Sequence, residues 1–386
     1  MMKKYLLKVA LFFSPFALAI GIELFVLPID FFTFRVWEAV AVKRNTLILR
    51  GPFYPKMELT KIEEGDLLHH TKFTYKRKAK WITDRYGFRK EDSGRSRYDI
   101  VVIGDSNIAG CGSSQEDMLS EVLEDRLGLS VYSLAPASIQ SVLYDKRFLD
   151  HPPHIVVVSS VERLVHDLLP LPKKSRRRPD HPPSPGIAGL KERVWGITQQ
   201  LENHPWIQTV AVLLDRFDKK IMLEYVRASL RRMFFPEVQG IPEGAVPSSH
   251  GVVIFFQGAA ANKQVPKEKL ERVVDILKTY DEVLKERGIR FIFLPIPEKE
   301  NIYHEYLHTE RPVFLEHLIS ELKKEGIEVV DTQKAFEEAF QKGVLLYYPN
   351  DTHWNGNGQK IAADLLEALI RKGPQGASSP VSKQGP

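Results

Sequence analysis

Near its C-terminal end the chain reads YYPNDTHWNGNGQKIAADLL (residues 347–366). The Asn and Gly residues suit a turn that opens a helix, and Asp351 alone can make an Asx-turn there. Turn chemistry does not call for His353 two positions on. A carboxylate beside an imidazole can fix the ring's tautomer and leave the other nitrogen as a general base. The run IGDSNIAG supplies a group for that base to deprotonate: Ser106, in a Gly-flanked turn after a short apolar stretch. A serine hydroxyl is a weak nucleophile until an adjacent base takes its proton. Taken alone, Ser106 reads equally well as a turn serine or a helix N-cap. The joint occurrence of Ser106, Asp351 and His353 favours a serine nucleophile paired with its general base.

Those residues need a frame that brings positions 106 and 353 together. From Tyr98 onward the pattern supplies one. YDIVVIGDS, LSVYSL, HIVVVSSV, IRFIFLPIP and IEVVDT are short apolar runs of the kind that form buried parallel strands. Between and after them, QEDMLSEVLEDRLG, SIQSVLYDKRFLD, the stretch 265–288, PVFLEHLISELKKEG and about 358–372 show helical periodicity. This alternation predicts an α/β fold with an open, mostly parallel sheet flanked by helices. In such sheets ligands bind at the carboxyl ends of strands, where Ser106 and the Asp351/His353 turn both fall. A third strand-end stretch, VVVSSVERLV, places Ser159 to Arg163 at the same edge. A Glu162–Arg163 ion pair is expected there, with substrate or oxyanion contact as the alternative.

The alternation is interrupted between about Val165 and His250. A proline- and charge-rich loop, LPLPKKSRRRPDHPPSPG, precedes the amphipathic segments LKERVWGITQQL and WIQTVAVLLDRFDKKIMLEYVRASLRRMFFP. This region is expected to be a helical insertion, either packed as a cap over the domain or lying with its basic, aromatic-bearing end on a membrane. Residues 33–97 read as an irregular, strand-poor extension or linker with turn signals RGPFYP and TDRYGFR. Residues 373–386 read as a disordered tail.

Composition narrows the partners. The formal charge is +5, concentrated in YKRKAK (Tyr75 to Lys80) and KKSRRRP (Lys173 to Pro179). Neither run sits on a recognisable nucleic-acid module, so solvated loops or contact with anionic polymer or lipid are expected, and no nucleic acid. The single cysteine, Cys111, excludes an intramolecular disulfide and a thiolate metal cluster. The histidines show no HExxH-like spacing, so neither a metal nor another cofactor is expected. At the N-terminus a basic start is followed by an apolar stretch from about Tyr5 to Leu27, broken by Lys8 and Glu23. That is about the ~20 residues a bilayer-spanning helix needs. Ala17-Leu18-Ala19 offers a signal-peptide cleavage site, but apolar residues continue to Phe32, which favours an uncleaved anchor over residues 1–32. Lys3 and Lys4 place the start inside, although Arg35, Lys43, Arg44 and Arg50 follow the span.

GDS after the first strand, with an Asp/His pair in a final turn before the last helix, resembles the SGNH (GDSL) hydrolase superfamily. More narrowly, DTHWNGNG, VER after a strand and PIPEKENIY are similar to the alginate O-acetyltransferase AlgX/AlgJ group of that superfamily. TDRYGFR resembles the segment that often leads into such domains in envelope proteins. The resemblance covers about residues 98–372 outside the insertion. It implies a three-layer, flavodoxin-like, SGNH-type domain in which Ser106 is the nucleophile, His353 the base and Asp351 its orienting partner. The oxyanion hole would use the N–H of Ser106 and of Ala135 in SLAPAS. The superfamily's third-block Asn is absent, SSVE standing in its place, so Ser160 is the stand-in. Asp105, Asn107, Trp354, Glu162 and Arg163 are the implied substrate contacts. The D-x-H spacing follows the acetyltransferase group, whereas the order, serine block first, follows the wider superfamily.

The function so implied is a membrane-anchored, extracytoplasmic serine acyltransferase or esterase acting on O-acetyl groups of an envelope or secreted polysaccharide. Its partners would be that polysaccharide or an acylated sugar, the membrane, and a multi-pass membrane acyltransferase as acyl donor. The alternatives are a carbohydrate esterase, or an inactive SGNH-fold module that binds polysaccharide or scaffolds an export complex.

Overall fold

Four short strands of almost purely apolar side chains form one parallel sheet because both of its faces are covered. They are β3 (Ile100–Ile103), β4 (Val131–Leu134), β5 (Ile155–Val161) and β8 (Arg290–Ile296), in the order β4-β3-β5-β8. β3 pairs with β4 from Ile100↔Val131 and with β5 from Ile100↔Ile155, and β5 pairs with β8 from Ile155↔Arg290. Successive side chains alternate between faces. Ile100 and Val102 enter one core, with Val157, Ile292 and Leu294. Val101 and Ile103 enter the other, with Val156, Val158 and Phe293.

Described in this computed structural model are residues 2–43, 48–67, 75–171, 204–234, 246–247, 253–256 and 266–373. In chain order the remaining elements begin with α1 (Met2–Phe25), α2 (Val36–Val40), β1 (Glu58–Glu64) and β2 (Lys76–Ile82). Then follow α3 (Leu119–Leu127), α4 (Ile139–Tyr144), α5 (Lys146–Asp150), α6 (Pro205–Lys219) and α7 (Ile221–Phe234). The short strands β6 (Val246–Pro247) and β7 (Val253–Ile254) pair with each other. The last part holds α8 (Lys267–Lys285), α9 (Lys299–Ile302), α10 (Phe314–Lys324), α11 (Thr332–Gln341) and α12 (Gly356–Lys372). One core takes Leu119 and Leu123 of α3, Phe336 of α11, and Ala362, Ala363 and Leu366 of α12. The other takes Ile139 and Val142 of α4, Leu277 and Tyr280 of α8, and Leu318 and Leu322 of α10.

Three expectations from the sequence need correction. Residues 33–97 are not strand-poor: β1 and β2 pair antiparallel over seven residues, from Glu58↔Ile82 to Glu64↔Lys76. In β2, Arg77, Ala79 and Trp81 are buried while Lys76 and Lys78 are exposed. An arginine on the inward face breaks the apolar alternation that would have marked a strand. The basic run YKRKAK is therefore largely this strand and not a solvated loop. The helix expected over SIQSVLYDKRFLD divides at Asp145, whose carboxylate accepts the Arg147 N–H and so caps α5. IEVVDT does not form a strand; its backbone pairs with the sheet in one bridge, Phe293↔Val329.

Of the segment 165–250, residues 205–234 form α6 and α7; KKSRRRP and LKERVWGITQQL lie outside the described residues, as do tail residues 374–386.

One buried cation fixes the loop behind Ser106. The guanidinium of Arg89 donates to the carbonyls of Gly110 (2.5 Å), Ser113 (3.0 Å) and Lys80 (3.0 Å). It also stacks on the Trp81 ring, 3.9 Å from the centroid. Replacing it strands several carbonyls without donors in a dry interior. Arg89→Met is expected to destabilise the chain by about 1–3 kcal/mol for each carbonyl left without a donor. Chemical denaturation of the solubilised variant should show this as a lower midpoint.

Candidate active site

The carboxyl edge of the sheet gathers four chain segments. β3 runs into Gly104, Asp105 and Ser106, β4 into Ala135, β5 into Glu162, and β8 into Pro297 and Glu298. Gly104 lets the turn pass close to β5, because a Cβ there would lie 2.7 Å from Ile108 and 3.1 Å from Ser159. Asp105 pins the same turn, accepting from the N–H of Asn107 (2.8 Å) and of Val161 (2.9 Å).

The final turn meets Ser106 from the side of α12. Asn355 caps that helix, its side chain accepting from the N–H of Asn357 and Gly358. This fixes the preceding residues, and His353 Nε2 comes to 2.8 Å from Ser106 Oγ. His353 Nδ1 lies 2.6 Å from Asp351 Oδ1, which also accepts the His353 backbone N–H. Ser106, His353 and Asp351 thus form one continuous chain across 247 positions of sequence.

Electrostatics assigns the protons. Burial opposes ionisation of Asp351, but the attraction of His353 and Arg77 outweighs it and holds this carboxyl well below the usual carboxylate range. An ionised carboxylate only accepts, so Nδ1 carries the proton and Nε2 is free to take one from Ser106. Burial also opposes charge on His353, yet Asp351, then Asp66 and Asp105, raise its pKa above 6.5.

Four residues of this site were not foreseen from the sequence. Arg77 of β2 donates to Asp351 Oδ2 at 2.5 Å and to the Gly112 carbonyl, and it packs 4.1 Å from the Tyr348 ring centroid. Buried Glu63 of β1 stands 3.5 Å from the same guanidinium. Asp66, just after β1, lies 3.5 Å from His353 Nδ1 and accepts the Thr352 N–H at 2.8 Å. Burial and the neighbouring Asp351 raise its pKa, against His353 and Thr352. Lys299 of α9 is fully buried and donates to the carbonyls of Tyr348, Pro349 and Asp351. Burial pushes it down to about 7. None of the four carries a local signal, since the groups of the final turn that they meet lie far along the chain, 274 positions from Arg77 and 49 to 52 from Lys299.

The other residues singled out from the sequence are placed as follows. Ala135 and Ser160 are buried at the ends of β4 and β5, and the Ser160 hydroxyl donates to the Val161 carbonyl. The Asn107 carbonyls, side chain and backbone, accept from the backbone and the indole N–H of Trp354, joining the two turns. The expected Glu162–Arg163 pair is not formed. Arg163 instead pairs with Glu298 at 2.6 Å, because the side chains diverge as the chain enters a 3-10 turn. Buried Glu162 accepts from Asn301 and from the Glu298 N–H, and burial pushes its pKa up to about 7. A cleft of about 630 Å³ lined by Tyr86, Tyr144 and Arg147 has neither Ser106 nor His353 on its wall.

Asp66, Asp351 and His353 each offer a ligand atom within 4.8 Å of one another. His353 Nδ1 and Asp351 Oδ1 are hydrogen-bonded to each other, Thr352 donates to both oxygens of Asp66, and Arg77 holds the other oxygen of Asp351. A metal ion would have to displace the proton on Nδ1 and sit beside a fixed cation, so the set suits imidazole orientation better than ion binding.

Comparison with known proteins relates the C-terminal part of the chain to one group of enzymes. The SGNH hydrolase-like domain of acetyltransferase AlgX matches residues 254–384, which include Asp351 and His353. The chain is 27% identical over 123 residues to a probable alginate O-acetylase AlgJ of Pseudomonas putida, covering 30% of this chain and 31% of that protein. It is 26% identical over 110 residues to a probable alginate O-acetylase AlgJ of Pseudomonas aeruginosa, covering 27% and 28%. The chain thus matches under a third of the length of these curated relatives. No solved structure matches. The resemblance to the SGNH, AlgX-like group rests on these findings.

The raised imidazole sets a pH dependence. A base acts only when neutral, so kcat/KM for a serine-dependent reaction should fall on the acid side with an apparent pKa above 6.5. Asp66→Asn removes one of the charges that raises it. The acid limb should move to lower pH in that variant, and an unmoved limb would show that Asp66 does not act on the imidazole.

Proposed function

We propose that the chain is a serine-dependent O-acyltransferase of the SGNH type that moves acetyl groups onto or off a cell-envelope or secreted polysaccharide. The observation that carries this reading is the Ser106–His353–Asp351 chain at 2.8 and 2.6 Å. The two helix-covered faces of the parallel sheet support a three-layer, flavodoxin-like domain over about residues 98–372, with α6 and α7 as the inserted segment. The likeness to AlgX and AlgJ supports polysaccharide O-acetylation as the reaction class.

In the mechanism, Ser106 Oγ attacks the carbonyl carbon of a donor ester while His353 Nε2 takes its proton. In this reading the backbone N–H groups of Ser106 and Ala135 hold the oxygen that gains charge, each contributing about 3 kcal/mol, while the Ser160 hydroxyl, expected as a third donor, is engaged by the Val161 carbonyl. Collapse breaks the donor's C–O bond, and His353 returns the proton to the departing alcohol. This leaves an acetyl ester on Ser106. A sugar hydroxyl then attacks that ester as His353 takes its proton, and the second collapse restores Ser106. Water in place of the sugar makes the same site an esterase. Asp351 stays ionised throughout and steadies the imidazolium. Asp105, Asn107 and Trp354 shape the turn around the nucleophile, and Arg163 with Glu298 and Glu162 borders it at the end of β5.

α1 is long and apolar enough to cross a membrane, and its most apolar stretch has no buried side chains. It serves in this reading as a single-pass anchor that leaves the catalytic domain outside the cytoplasm. A multi-pass membrane acyltransferase handing acyl groups across the bilayer would supply the donor.

With a chromogenic acetyl ester, Ser106→Ala and His353→Ala should each lower kcat by at least about 10³-fold. Loss of turnover to water on adding an oligosaccharide acceptor, with acetylated acceptor appearing, marks a transferase. Turnover that persists unchanged in Ser106→Ala would rule the mechanism out.

A further inference from the structure

α6 is inside out for a helix surrounded by water. Its exposed residues include Trp206, Val210, Leu214 and Phe217, all more than half exposed and spaced four, four and three apart along one side. Its buried residues are polar: Gln208, Asp215 and Arg216, on the opposite side. A helix capping a soluble domain turns its apolar stripe inward. α7 repeats the pattern with exposed Leu223, Val226, Leu230, Met233 and Phe234 in a second stripe. Beside Trp206, Val210 and Leu214 opens an apolar groove of about 490 Å³ completed by Ile48 and Leu49.

The buried polar groups of α6 tie it to the end of α1. Arg216 donates to the carbonyls of Glu23 (2.8 Å) and Leu24 (3.1 Å), satisfying the last turn of that helix. Asp215 accepts from the Tyr54 hydroxyl and the Lys43 N–H, and Lys219 donates to the Ala39 carbonyl. α7 is tied to the same place: Glu23 accepts the Met222 N–H, and Tyr225 stacks on Phe34 with 4.7 Å between ring centroids. Phe25, Val26 and Phe31 at the exit of α1 are themselves exposed and continue the apolar surface.

We infer that α6 and α7 are embedded in the lipid–water interface beside α1, with their exposed stripes in the acyl boundary of the outer leaflet. The inference rests on α1 crossing the bilayer, as proposed above. The occupant is lipid because the surface is continuous with the helix that enters it, and hydrogen bonds fix both helices at the depth where α1 ends. Charge agrees with this. Arg227 and Arg231 of α7 are exposed and lie at one edge of its stripe, where headgroup phosphates would meet them; Glu224 is the only acid in that helix. An in-plane pair of helices in addition to a single span would hold the catalytic domain at a set height and tilt over the membrane.

The test uses the full chain in single-copy nanodiscs of phosphatidylethanolamine and phosphatidylglycerol, in a Cys111→Ala background. Single cysteines at Leu214, Leu230, Phe16 and Glu321 carry an environment-sensitive fluorophore, and lipids with a doxyl group near the headgroup end of the acyl chain act as quencher. Labels at positions 214 and 230 should be quenched roughly fivefold more than the label at 321 on α10. If the Phe16 position is quenched while 214 and 230 behave like 321 and respond to aqueous iodide, the inference fails and the anchor stands. Protection of 214 and 230 from both quenchers would mark a face covered by protein, a second copy or another part of the chain, and would also overturn it. An unquenched Phe16 position would remove the anchor and this inference with it.

Discussion

The ion pair between Arg77 and Asp351 holds the candidate site together. It joins a β-hairpin near the start of the chain to the turn before the last helix, 274 positions away, with almost no water between them. A buried pair of this kind is weak evidence for stability, since its desolvation offsets most of the attraction. Its value here is positional. Arg77 saturates one oxygen of Asp351 and so directs the other at His353 Nδ1, which in turn aims Nε2 at Ser106. The Gly112 carbonyl holds the guanidinium through Nε, and Glu63 stands 3.5 Å from the nitrogen that meets Asp351. Because Gly112 belongs to the loop that follows Ser106, the same cation registers the nucleophile's loop against the base's turn.

This arrangement makes the segment before the sheet part of the site. Asp66 reaches His353 from the end of β1, and Arg89 braces the loop after Ser106 from the stretch leading into β3. The sheet provides the nucleophile and the shell, and the hairpin sets the electrostatics of the base. Chains that share only the AlgX-like C-terminal stretch therefore need an equivalent of this hairpin to orient the histidine in the same way.

Much of this was legible in the sequence because its determinants are local. The apolar runs of β3, β4, β5 and β8 announce a doubly covered parallel sheet, and Gly128, Asn355 and Gly373 punctuate helices where turn chemistry says they should. Ser106, Asp351 and His353 were recognisable only jointly, because Ser and Asp each suit their own turn and it is the set, at strand ends of one sheet domain, that turn chemistry does not call for. The hairpin escaped because its inward face carries Arg77, so a buried functional cation looked like part of a basic surface run. IEVVDT reads as a strand by composition, yet its backbone bonds the sheet around Phe293 through Glu328 and Val330, and its other contacts with β8 are made by the side chains of Glu328 and Thr332. Glu162 and Arg163 are neighbours in sequence but face different partners, a matter of backbone direction that composition does not encode.

The central claim is that Ser106 is activated by His353. Incubating the full-length chain with a serine-directed phosphonate and mapping the adduct by peptide mass spectrometry tests it directly. The account predicts a single adduct on Ser106, formed far more slowly in His353→Ala and slowed in Arg77→Met. Absence of an adduct on Ser106, or labelling at an undiminished rate without His353, would contradict it.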